Sequence, residues 1–187
     1  IFKRNIDDLP LRDSADIHLG SALEIPWESV IPAEDCSYII GNPPFIIGDS
    51  LTGAQKKDRT RIFGKNGSKL DYVACWFLLA AQYTKGTKCE VAFVSTSSIC
   101  QGQQAPALWQ PMYNSGIKIN FAHRAFTWAN ETRNVASVHV VIIGFAHKQR
   151  SERVLYIHDR NDKETEIKTV SNINPYLLDA PDVFIQA

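Results

Sequence analysis

With 187 residues, 44% of them hydrophobic, and 20 Lys+Arg against 20 Asp+Glu, the chain can bury one core and carries no net charge to attract a polyanion. No apolar run approaches the ~18 residues of a membrane span and no signal peptide stands out, so a cytoplasmic protein without membrane contact is expected. Cys36, Cys75, Cys89 and Cys100 are widely spaced with no Cys-x-x-Cys, which reads as reduced, buried thiols rather than a zinc site or disulfide framework; no metal is expected.

Ile1–Arg12 is weakly patterned. Asp16-Ile17-His18-Leu19-Gly20 alternates polar and apolar residues, which predicts a strand, and Pro26 keeps Ser21–Trp27 in a loop. Tyr38-Ile39-Ile40 predicts a buried strand over about Cys36–Gly41. It stops at Asn42-Pro43-Pro44-Phe45, which can neither continue a strand nor start a helix and reads as a rigid, extended corner. Two adjacent prolines have no N–H to offer. The corner therefore presents carbonyl acceptors, with the Asn42 amide beside them and the Phe45 ring just beyond. Such a set suits a planar ligand bearing an amino group: acceptors grip the NH2 and the ring covers the π face.

Ile46–Ser68 reads as a long polar loop. Within it Lys56, Lys57, Arg59 and Arg61 surround Asp58 and Thr60; the run is a solvated face or, given its place after the corner, a segment that touches phosphates. Ser68-x-x-Asp71 resembles a capping box and opens a helix to about Thr84, with Gly86 as its stop. Glu90–Ser95 predicts the next strand. Strand, helix, strand makes a βαβ unit, with Asn42 and Ser95-Thr96 side by side at the carboxyl edge of the sheet, where open α/β folds bind ligands. Ser95 and Thr96 are expected there as strand-end hydrogen-bonders.

Ala105–Asn114 predicts a short helix despite Pro106 and Pro111. Lys118–His123 and Ser137–Ala146 predict an antiparallel hairpin, with Arg124–Glu131 as the connection, and Arg153–His158 a further strand. His18, His123, His139, His147 and His158 stand singly and receive no role. There is no Gly-x-Ser-x-Gly, so a serine hydrolase has no support, and no Pro-Cys, which excludes cytosine C5 chemistry.

An Asn-Pro-Pro-aromatic tetrad arises by chance in roughly one chain of this size in a thousand. Placed after an apolar strand, Asn42–Phe45 resembles the catalytic motif of the amino-group S-adenosylmethionine-dependent methyltransferases, above all the N6-adenine DNA enzymes. The resemblance implies an α/β fold: the C-terminal part of a Rossmann-like class I methyltransferase, with a mostly parallel sheet and a terminal antiparallel strand pair. It makes Asn42, Pro43, Pro44 and Phe45 catalytic, and S-adenosylmethionine the cofactor. Ser21, Ala22, Leu23 and Leu70, with Asn42, become cofactor contacts, although the family favours an acidic or amide residue at Ser21. Phe126 and Trp128 resemble the aromatic loop that stacks on an extruded base, joining Phe45 and the cations Lys56, Lys57, Arg59 and Arg61 as contacts to double-stranded DNA.

The tail Asn174-Pro175-Tyr176-Leu177 with Pro181-Asp182-Val183 extends the likeness to large bacterial fused restriction–modification enzymes. Residues 1–171 are then expected to form a partial catalytic domain from the third strand onward. Residues 172–187 are expected to be an exit linker toward a target-recognition region, with or without a nuclease, in the same full-length protein. The glycine-rich cofactor loop that opens the fold has no counterpart, and by the family's order it precedes Ile1. The piece alone is expected to be inactive. Two alternatives stay open: the same corner serves enzymes that methylate guanine N2 in RNA or a glutamine amide in protein, and the chain also reads as a non-catalytic α/β module that binds nucleic acid or a partner.

Overall fold

The computed structural model describes residues 15–128, 138–159 and 164–184. Six strands form one sheet: β1 (Tyr38–Gly41), β2 (Glu90–Thr96), β3 (Lys118–Trp128), β4 (Val138–Ala146), β5 (Arg153–His158) and β6 (Thr165–Val170), in the order β1-β2-β4-β3-β5-β6. β1 pairs with β2 and β3 with β5 in parallel; β4 is antiparallel to both its neighbours, and β6 to β5. Four strands thus run one way, and β4 enters between β2 and β3 from the other. The predicted hairpin is present, but its β4 arm inserts next to β2, with Val91 opposite Phe145 and Thr96 opposite Val140.

Three helices accompany the sheet: α1 (Gly53–Phe63), α2 (Ala74–Tyr83) and α3 (Gln104–Asn114). Phe77 of α2 and Trp109 of α3 meet Phe93 of β2 and Phe145 of β4, with ring centroids 5.3–5.9 Å apart at Phe77. Trp109 satisfies its indole N–H on the Ile99 carbonyl at 3.0 Å, which lets so large a ring be fully buried. This cluster lies on one face of the sheet. On the other face Tyr38 and Ile40 remain 68% and 83% exposed.

Four sequence expectations are corrected. Asp16–Gly20 forms no strand; no described strand lies beside it, and without a ladder its alternating residues stay exposed, Leu19 completely. β1 is not buried, because it is the edge of the described sheet and its outward side chains meet no layer. Ile46–Ser68 is not a loop: Thr52 and Gln55 make a reciprocal capping box that starts α1. The second helix begins at Ala74 rather than Ser68, since Gly64–Lys69 is a 3-10 turn and the Ser68 hydroxyl donates to Lys65 inside it.

Of residues 172–187, expected as an exit linker, the described part, 172–184, packs against the sheet and α3. Ile173 is fully buried, Tyr113 donates its hydroxyl to the Ile173 carbonyl at 3.0 Å, and Lys118 pairs with Asp182 at 2.7 Å. Arg153, also buried, reaches Asn172.

Candidate active site

The corner is built by what stands on either side of it. Gly41 ends β1 directly over Phe93, where an added Cβ would lie 3.2 Å from the ring. Beyond it Asn42 is exposed, Pro43 buried, Pro44 exposed and Phe45 half-buried against the main core. The Ile46 carbonyl then accepts the Tyr72 N–H at 3.0 Å. The tetrad is thereby fastened by the β1–β2 ladder at one end and the approach to α2 at the other. The buried proline and half-buried ring act as wedges, and the Asn42 amide faces outward.

Because β1 and β2 are parallel, the corner and the end of β2 share the carboxyl edge of the sheet. There Asp71, 6% exposed, accepts from the Ser98 hydroxyl at 2.6 Å and from Thr96 at 3.5 Å, and Ser98 and Thr96 lie 2.6 Å apart. The Asp71 N–H in turn donates to the Gln104 side chain of α3 at 3.0 Å. Thr96 is the hydrogen-bonder expected of it. Ser95 is not: its hydroxyl is buried with no partner. The sequence offered Asp71 only as the capping-box residue of a helix start and gave no signal for Ser98.

The remaining site residues divide. Ser21 and Ala22 are exposed on a turn closed by the Ser21 carbonyl, which accepts from Glu24 and Ile25. Leu23 is buried in a small cluster with Leu51, Tyr72 and Cys75, against which Ile46 packs. That cluster brings the Ser21–Leu23 turn and the corner together. Leu70 is fully buried in the main core, so its side chain is support rather than surface.

The cation run is split in a way the sequence did not disclose. Lys56 and Lys57 are exposed. Arg59 is 8% exposed and donates to the Leu70 carbonyl at 2.8 Å. Arg61 donates to the Leu23 carbonyl at 2.9 Å and pairs with Asp58 at 3.3 Å. Asp58 also accepts the Tyr72 hydroxyl at 2.8 Å; burial, and then this bond, push the Tyr72 pKa up. Arg59 is buried and Arg61 stays exposed, but both donate to carbonyls, and because α1 has no apolar stripe these hydrogen bonds help to anchor it.

Phe126 lies in β3, not in a loop, opposite Val140, which itself stands opposite Thr96. One rung thus runs from Thr96 at the site edge to Phe126 two strands away. The Phe126 ring is half-buried, 4.6 Å from His158 and 6.2 Å from His123. His123 stacks on Tyr156 at 4.1 Å and meets His158 at 3.1 Å between ring nitrogens. Trp128 pairs with Val138 through its backbone, and its side chain lies outside the described residues, as does most of the stretch joining β3 and β4. Among the described residues no group of His, Cys, Asp and Glu is placed to hold a metal, and no helix is long and apolar enough to cross a membrane.

A sheet of this order with a corner at its carboxyl edge is the Rossmann-like methyltransferase class of fold. The chain belongs to the MmeI DNA-methyltransferase domain family, whose model matches residues 1–157. It is 39% identical over 184 residues to DNA methyltransferase A of Bacillus subtilis (strain 168), covering 96% of this chain and 20% of that protein. It superposes with a TM-score of 0.88 and 44% identity on the type IIL restriction-modification enzyme MmeI, solved in complex with DNA, over 94% of this chain and 24% of that one. The chain therefore spans about a fifth to a quarter of the length of these relatives.

Proposed function

We propose that this chain is part of a restriction-modification DNA methyltransferase and carries the substrate half of its active site, acting on the exocyclic N6 amine of adenine in double-stranded DNA. The observation that supports this most is the fastened corner: an outward amide at Asn42 and a buried proline at the carboxyl edge of a parallel strand pair. An aromatic amine is a poor nucleophile because its lone pair is shared with the ring. The Asn42 side-chain oxygen and the Pro43 carbonyl accept its two hydrogens, draw the nitrogen toward tetrahedral geometry and localise the pair. Positioning and fixed dipoles carry the rate. Phe45, with Phe126 or Trp128, holds the base after it leaves the stack, since its amine cannot be reached inside a duplex.

The cofactor of this reading is S-adenosylmethionine, which when bound supplies an electrophilic methyl group. The residues present fit a share of it: Ser21 and Ala22 expose small side chains on the turn that the Leu23 cluster ties to the corner. Those two and Asn42 would hold it, with Leu23 and Leu70 as the buried support. On this reading a target-recognition region, with or without a nuclease, belongs to the full-length protein.

The test is Asn42→Ala in the full-length protein, followed by transfer of labelled methyl to DNA, RNA and protein substrates. Methylation of DNA adenine by the wild type, reduced by about 10²–10³-fold or more in the variant with cofactor affinity kept, is expected. Equal rates for the two proteins would remove Asn42 from the chemistry, and label in RNA or protein would move the substrate.

A further inference from the structure

An open groove of about 720 Å³ runs between the 3-10 turn Gly64–Lys69 and α3. Lys65, Asn66 and Lys69 stand on one wall; Gln103, Gln110 and Asn114 stand on the other, and all six are exposed. No acidic residue lines the groove. Residues 103, 110 and 114 recur at helical spacing along one side of α3, so the amide wall extends over roughly 16 Å at 1.5 Å per residue. Ile62, Phe63, Leu78 and Pro106 add apolar surface between the walls; along the rims, two cations face a row of neutral amide donors with no carboxylate to satisfy either, an arrangement complementary to a row of anionic oxygens.

Both walls are fixed in advance. Gly67 is packed so closely that an added Cβ would meet Phe63 at 2.8 Å and the Arg59 carbonyl at 3.0 Å. The Asp71 N–H, two residues past Lys69, donates to Gln104 at the start of α3 and ties one wall to the other. The groove also adjoins the corner: Gly48, three residues beyond Phe45, comes within 3.9 Å of the Ser68 and Leu70 carbonyls at its Cβ position. The turn that carries Lys65 and Lys69 thus packs against the chain that follows the corner.

We propose that this groove receives the sugar-phosphate backbone of the DNA substrate, with Lys65 and Lys69 neutralising two phosphates and Gln103, Gln110 and Asn114 donating amide hydrogens along the same strand. This rests on the DNA-methyltransferase reading above. It assigns phosphate contacts to the groove in addition to any made by the exposed Lys56 and Lys57 of α1, whose Arg59 and Arg61 donate to the Leu70 and Leu23 carbonyls.

The experiment compares full-length wild type, K65A/K69A and, as a control from the far end of α2, K85A, by fluorescence anisotropy on a labelled random-sequence duplex over a series of salt concentrations. K65A/K69A is expected to bind roughly tenfold more weakly, with a log–log salt slope shallower by about 2, because each neutralised phosphate releases about 0.9 counterion. K65R/K69R, which keeps the charges, is expected to keep the slope, and K85A to match wild type. A K65A/K69A protein with wild-type affinity and slope would overturn the proposal. The two readings fail separately: a wild type that binds but does not methylate DNA sinks the functional reading, whereas a methylating wild type with an unaltered double variant sinks only the groove.

Discussion

The guanidinium of Arg59 donates to the carbonyl of Leu70 at 2.8 Å from a position 8% exposed to solvent. One hydrogen bond from a charged group therefore ties α1 to the strand-like entry of α2, and through it to the corner. Removing it strands a buried carbonyl and leaves α1 to the Arg61–Leu23 and Asp58–Tyr72 hydrogen bonds and the packing of Phe63. Arg59→Ala is expected to destabilise this contact by ~1.5–3 kcal/mol and to raise amide exchange across residues 53–63 before the sheet is affected. Hydrogen–deuterium exchange on the full-length protein measures it, and uniform protection in wild type and variant would show that α1 is held some other way.

Asp71 joins Ser98 and Thr96 to the segment whose next residue, Tyr72, pins Ile46. Asp71→Ala removes the acceptor shared by Ser98 and Thr96 and leaves those hydroxyls only each other; it should cost ~1–3 kcal/mol locally and raise exchange over residues 42–46. Asp71→Asn retains one acceptor oxygen and is expected to restore most of that protection. If Ala and Asn behave alike, Asp71 does not position the corner.

Burial, and then His158, hold the His123 pKa below the ordinary 6.5, so the unfolded chain takes up that proton more readily than the folded one. The stability linked to this ring is complete above the unfolded value and declines as pH falls below it, until the folded ring itself titrates. Moving from about pH 7.5 to about pH 5.5 should therefore loosen β3 and β5, seen as exchange in excess of the intrinsic rate change. His123→Phe should flatten that response; a slope as steep as wild type would assign it to another group.

Gly144 sits under the Phe121 ring, which occupies the place an added Cβ would take. Because the Phe121 ring would have to leave that place, Gly144→Ala is expected to cost ~1–3 kcal/mol. Gly144→Ala with Phe121→Leu should recover part of it. Thermal denaturation of the two variants decides the point: additive losses would mean that the ring is free to swing aside.

Where side chains alternate over a paired strand, or cover one helix stripe, the sequence disclosed the element: β2, β4, β5 and α3 lie close to their predicted places, while α2 begins six residues later than predicted and β3 runs on five residues to Trp128. The corner was legible because two prolines after an apolar run leave the backbone few choices. What stayed hidden depends on partners distant in the chain. α1 has no apolar period, so only its Thr52–Gln55 box betrayed it; whether Arg59 and Arg61 face water or carbonyls is decided by Leu70 and Leu23. β6 reads as polar and exposed, and only its pairing with β5 makes it a strand. Asp71 looked like a cap residue, and it takes Ser98, 27 residues on, to show that it belongs to the sheet edge.

The outward side chains of Tyr38 and Ile40, on a strand that is hydrogen-bonded along one flank among the described residues, have a practical side. A recombinant polypeptide trimmed to these boundaries would offer a sticky ribbon to its neighbours in the tube. Concentration-dependent clumping in light scattering is the expected behaviour of such a preparation, and polar replacements at those two positions are the first remedy to try.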